Sequence, residues 1–169
     1  MTLKQSFWIL TTLFVPTAIA MGKIDVDLRT VHSPHGIVSF EFCGFAESCS
    51  AILEEWGAKG RESAMLSLGL DYLFMLAYAG VLCVGLLLTS VSLEPRLRRL
   101  VELVAAGSIV AGLADALENY SLIQIVSGGD TSTYGMRAGT FASVKFALAG
   151  ISLLVWASLG VRRAIAGRS

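Results

Sequence analysis

Four apolar stretches, at about 3–21, 64–89, 100–126 and 138–161, constrain this chain more than any other feature. Each is comparable to the ~20 residues that a helix needs to cross the hydrocarbon of a bilayer. Composition agrees: 54% of 169 residues are hydrophobic, 15% are charged, and mean hydropathy is +0.69, far from the usage of a water-soluble domain. The chain is too short to bury a second core, so residues 1–169 read as a single membrane domain. The expected fold class is all-α, an integral membrane four-helix bundle. Net charge is zero and the basic residues form no run that could follow a phosphate backbone, which excludes nucleic acid as an expected partner.

The connections set the expected topology. Residues 92–99 hold Pro95, Arg96, Arg98 and Arg99 and read as a short water-exposed turn, while 127–135 is a polar, turn-rich stretch without lysine or arginine. Lys4 precedes the first span, and Arg162, Arg163 and Arg168 follow the fourth. Cytoplasmic segments near span ends collect Lys and Arg. All these charges fall on one side of an even-numbered bundle, so both termini are expected in the cytoplasm. A rival reading of the first span stays open. Lys4, the apolar run through Val15 and the small residues Ala18-Ile19-Ala20 before Met21 resemble a signal peptide with a cleavage site. Either way, Gly22 onward lies on the outer side.

The outer connection, 22–63, is too long to lack structure of its own. Its Ile37, Val38, Phe40, Phe42, Phe45, Ile52, Leu53 and Trp56 alternate with Glu41, Glu47, Ser48, Glu54 and Glu55. That mixture suits an amphipathic helical segment lying on the membrane or packed over the bundle mouth as a lid. Gly57 is placed to stop it, since glycine accepts backbone geometry closed to other residues. Cys43 and Cys49 are close enough in sequence to bridge only if the backbone breaks near Gly44, because on one continuous helix they point to different faces. Whether they are bridged stays open at this point. His32 and His35, with Asp25 and Asp27, have zinc-ligand chemistry, but Pro34 and the spacing favour a solvated loop, so no metal is expected. No span contains a histidine, and no phosphate-binding glycine loop or nucleophile motif occurs, so no cofactor is expected either.

Ionisable residues inside the spans are the firmest functional clue, because charges are costly in hydrocarbon and are rarely left facing lipid. Asp71 lies about seven residues into the second span from its outer end, and Lys145 about seven into the fourth, roughly 10 Å at 1.5 Å per residue. Asp115, Glu118 and Asn119 lie in the third span at roughly 10–17 Å. The i,i+3 and i,i+4 spacings put those three on one face. Asp71 shares a stripe with Phe74, Met75 and Tyr78, and Lys145 shares one with Phe141, Ala149 and Ser152. Small residues such as Gly107, Ala111, Gly112, Gly139 and Ser143 let the helices approach closely. Three carboxylates against one lysine do not balance, so at least one acid is expected to hold a proton at neutral pH. Such a mixture serves acid–base chemistry or proton-coupled movement. It could equally fix helix register, with Lys145 paired to one acid and with Asn119 and Tyr78 satisfying the others.

The stretches Leu68-Gly69-Leu70-Asp71-Tyr72-Leu73-Phe74 and Ala114-Asp115-Ala116-Leu117-Glu118-Asn119, with Phe40-Glu41 and Lys145, resemble a group of uncharacterised bacterial four-span membrane proteins. The likeness runs from Phe40 to Phe146, implies a bacterial inner-membrane location and brings no activity with it. Four spans around an acidic pocket are also similar, as architecture only, to the sterol isomerase and sigma-2 receptor superfamily. The expected site is therefore an outward-opening polar pocket. Asp71, Asp115, Glu118 and Lys145 are its candidate acid–base residues, and Glu41, Tyr72, Tyr78 and Asn119 its candidate ligand contacts. A lipid-like or small amphipathic ligand is the leading expectation, with catalysis left open. The alternatives are an accessory subunit of a larger membrane complex, in contact through its small-residue stripes and outer segment, or a proton-coupled carrier or channel formed by a homo-oligomer.

Overall fold

The computed structural model describes residues 1–45 and 48–166, with side chains as far as Arg163. Glu47 and Arg168, named above, lie outside the described residues. Among the described residues five α-helices follow one another: α1 (Leu3–Asp25), α2 (Ile37–Glu41), α3 (Cys49–Ser90), α4 (Pro95–Val126) and α5 (Thr131–Ala166), with one 3-10 turn at Val26–Leu28. No strand occurs among the described residues. Helices α1, α3, α4 and α5 are each long and apolar enough to cross a membrane, and the chain is a multi-pass membrane protein built as a four-helix bundle.

The helices outrun the apolar stretches at both connections, because the amphipathic turns beyond the hydrocarbon keep their backbone hydrogen bonds in water. The turn expected at 92–99 is shorter: α4 already begins at Pro95, a residue suited to a first helical position because it lacks the N–H that would be unpaired there. Arg96, Arg98 and Arg99 therefore ride on its first turns, and Arg98 pairs with Glu102 at 2.8 Å. The stretch 127–135 shrinks likewise. Helix α5 begins at Thr131, capped by the Asp130 carboxylate, which accepts from the Ser132 and Thr133 N–H groups at 3.2 and 3.0 Å.

Helices α3, α4 and α5 form the closely packed part of the bundle. In hydrocarbon, helix association relies on van der Waals fit rather than on the expulsion of water, so small residues sit where backbones meet. Ser108 and Ala111 of α4 are fully buried, as are Ala142 and Ser152 of α5. The Ser108 hydroxyl donates across the seam to Ser152 at 3.0 Å. Helix α1 is peripheral. Only Thr17 is buried along it, and it leans on α3 through a stacked Phe14–Phe74 pair, 5.2 Å between centroids. It runs on without a break through Ala18-Ile19-Ala20 to Asp25. Phe7 meets Trp156 of α5 edge to face at 5.8 Å near the arginine-bearing end, while along the middle of the bundle α1 and α5 are parted by the cavities described below.

The connection between α1 and the spanning part of α3 forms a cap over the opposite end. Phe40, Ile52, Leu53 and Trp56 are buried together against Leu68, Leu122 and Ile125 of the bundle. The Trp56 indole N–H, which burial obliges to find an acceptor, donates to the Leu28 carbonyl at 2.9 Å and the Ser33 hydroxyl at 3.0 Å. Glu55 accepts from the Val31 and His32 N–H groups, and Asp25 from that of Ile37 at 2.8 Å, so these acids shape the loop. Gly57 does more than stop the cap helix. With φ 58° and ψ −156°, a region open essentially to glycine alone, it kinks α3, and helix resumes at the next residue. Residues 42–45 form turns after α2, and there Cys43 is joined to Cys49, the first residue of α3, in a disulfide with Cα atoms 4.9 Å apart. Gly44 lies so close to Gly135 of α5 that a Cβ on either would collide with the other's backbone or with Cys49.

Candidate functional site

Lys145 is the centre of the buried charge cluster. Its ammonium donates to Asp115 Oδ1 at 3.1 Å and to Glu118 at 2.9 Å, and lies 3.4 Å from Glu41 Oε2. All four side chains are at least nine-tenths buried. The i,i+3 spacing on α4 is what lets Asp115 and Glu118 grip one cation from one helix face. Asp71 stands apart from this group: its carboxylate accepts from the Asn119 amide at 2.7 Å and pairs with no described cation. Asn119, one turn beyond Asp115 on the same face, thus ties α3 to α4 as Lys145 ties α4 to α5.

Glu41 joins the cluster from outside the spans. The short helix α2 tucks its last residue inward between Phe40, packed on Trp56 at 5.0 Å, and the disulfide two residues on. Burial pushes the Glu41 carboxyl above its ordinary range, against the pull of the Lys145 ammonium and with added push from Asp115. Three carboxylates therefore surround one ammonium, and with Asp71 nearby the buried acids number four, a larger imbalance than the three counted from the spans.

A cavity of about 310 Å³ opens onto this cluster, walled by Glu41, Asp71, Asp115, Lys145 and Tyr78, with Met21, Ile37 and Val38 at its cap-side rim. Glu118 and Asn119 lie behind that wall. The Tyr78 hydroxyl and Glu41 Oε2 are buried there without a hydrogen bond. A second cavity of about 390 Å³ shares Tyr78, Phe146 and Ala149 with the first and continues towards the arginine-bearing end, where Val81, Leu153 and Trp156 line it. Phe14 of α1 forms its far wall. Together they make a cleft between α1 and α5, polar at one end and apolar along its length. Phe146 roofs the junction, its ring centroid 4.8 Å from the Lys145 ammonium and stacked on Phe42 of the cap at 5.9 Å.

The candidate residues from the sequence are mostly brought together, although Glu118 and Asn119 stand behind the cavity wall and not in it. Tyr72 does not reach the cavity. It stands one residue, about 100° of helix, from Asp71, and its hydroxyl donates to the Ala116 carbonyl on the α3–α4 seam at 3.4 Å. The walls Phe14, Phe146, Leu153 and Trp156 were missed, although Lys145, Ala149, Leu153 and Trp156 follow one another at helical spacing. No family model, curated protein or solved structure matches this chain, so the chemistry of the site rests on its own residues.

Proposed function

We propose that this protein is an inner-membrane protein, with Lys4 and Arg163 on the cytoplasmic side, that binds or processes a lipid-like or small amphipathic molecule in the cleft between α1 and α5. The observation that carries this reading is the adjacency of the two cavities. A charged, hydrogen-bonding chamber shares three lining residues with an apolar channel bordered by a loosely packed helix. Their volumes are in the range of small-molecule sites, and an apolar lining with a few convergent polar groups is the general character of such sites. A register-fixing network alone needs no cavity beside it. Asp71, Tyr78 and Glu41 then contact the polar end of the ligand, Asp115 and Lys145 stand paired in the same wall, and Glu118 and Asn119 hold Lys145 and Asp71 in place from behind.

Ala149 lines both chambers, so Ala149→Trp is the direct test. In the protein purified gently from membranes, mass spectrometry is expected to find a co-purifying amphipath in the wild type. The variant should retain at most a few per cent of it while melting within a few degrees of wild type. Equal retention by Ala149→Trp would overturn the cleft as the binding site.

A further inference from the structure

The charges at the cavity wall do not cancel, and this restricts what the polar end of a ligand can be. Lys145 spends its donors on Asp115 and Glu118 and turns its remaining side to Glu41. Asp71 has only the neutral amide of Asn119. Beside it in the same wall, the Tyr78 hydroxyl is buried with a free acceptor oxygen, and Glu41 Oε2, in a side chain nine-tenths buried, accepts no hydrogen bond. The cavity wall therefore holds three carboxylates, those of Glu41, Asp71 and Asp115, against the single ammonium of Lys145, whose donors are already engaged.

We infer that the ligand's polar end is a protonated amine, received by Asp71 with Tyr78 and Glu41 as further acceptors, its apolar chain lying along Val81, Leu153 and Trp156. This rests on the reading of the cleft as an amphipath site. An ammonium offers several N–H donors and one positive charge, which matches the acceptors in number and offsets the excess. A carboxylate or phosphate head would add negative charge beside Asp71 and Asp115 and find Lys145 already engaged. An alcohol would supply a donor but no charge. A metal cation fits less well, since among the described residues no three acids, histidines or cysteines are grouped to hold one. Charge-assisted hydrogen bonds in a water-poor chamber are the strong kind, so the discrimination should be large.

Wild-type protein in phosphatidylcholine nanodiscs is titrated calorimetrically with dodecylamine, dodecanol and dodecanoate, with empty nanodiscs subtracted. Dodecylamine is expected to bind at least tenfold more tightly than dodecanol, and dodecanoate most weakly. In Asp71→Asn, which keeps a carbonyl for the Asn119 amide, the tenfold preference should vanish while dodecanol binding stays. Dodecanol or dodecanoate binding as well as the amine would overturn the amine reading and leave the cleft standing. A preference that survives Asp71→Asn would overturn the part given to Asp71. No binding by any of the three would overturn the cleft reading itself.

Discussion

At the scale of single residues, the balance between Lys145 and its acids decides whether the bundle holds. Removing one member of a buried ion pair costs about 3–5 kcal/mol because the other charge is stranded, while replacing both can be nearly neutral. Lys145→Met strands Asp115 and Glu118 at once, so its melting temperature in detergent should fall sharply. Adding Glu118→Gln should restore a large part of that loss, since Glu118 is the acid in hydrogen-bond contact that does not face the cavity. Adding Asp71→Asn should restore little, because Asp71 bonds to Asn119 and not to Lys145. Equal recovery by both partners would mean that the four acids act on Lys145 as a diffuse field and not as the paired contacts described. Wild-type melting of Lys145→Met itself would refute the buried pair.

At the scale of elements, the four long helices were legible because hydrocarbon demands a long apolar run and the chain supplies four. The clustering of Asp71, Asp115, Glu118 and Lys145 was legible too, since rise per residue fixes depth and the 3.6-residue period fixes the face. Other features were not accessible in the same way. Helix ends in water carry no apolar signal, which is why α4 and α5 begin earlier than their apolar stretches. The peripheral seat of α1, which leaves the cleft open, depends on packing between helices that no one span records. Gly57 lies between these cases: a stop was readable, but an immediate restart was not. With its positive φ and ψ near −156°, Gly57→Ala should cost about 1–3 kcal/mol. The loss should appear first as faster proteolysis or hydrogen exchange in the cap, where Trp56 would lose its hold on Leu28 and Ser33. Unchanged exchange there would show that the kink is not what seats the cap.

For the whole molecule, the proposed orientation in the membrane draws on two independent features. Arginines gather at one end: Arg96, Arg98 and Arg99 open α4, and Arg163 of α5 reaches back to the Thr89 carbonyl and the Ser92 hydroxyl at 2.8 and 2.6 Å. Positive charge of this kind is held on the cytoplasmic side. The opposite end carries the Cys43–Cys49 disulfide, and such bonds persist in oxidising compartments and are rare in the cytosol. Charge bias and redox chemistry arise from unrelated physics, so their agreement weighs more than either alone. Because those thiols are bridged, Cys83 is the one free cysteine among the described residues, and Cys83→Ala gives a clean background for labelling. In that background Ser132→Cys, exposed at the start of α5, should react with a membrane-impermeant maleimide in intact spheroplasts. Arg98→Cys, exposed on the first turns of α4, should react only after the membrane is opened. The reverse pattern would place the disulfide in the cytosol and the arginines outside, overturning the orientation and with it the side from which the cap covers the cleft.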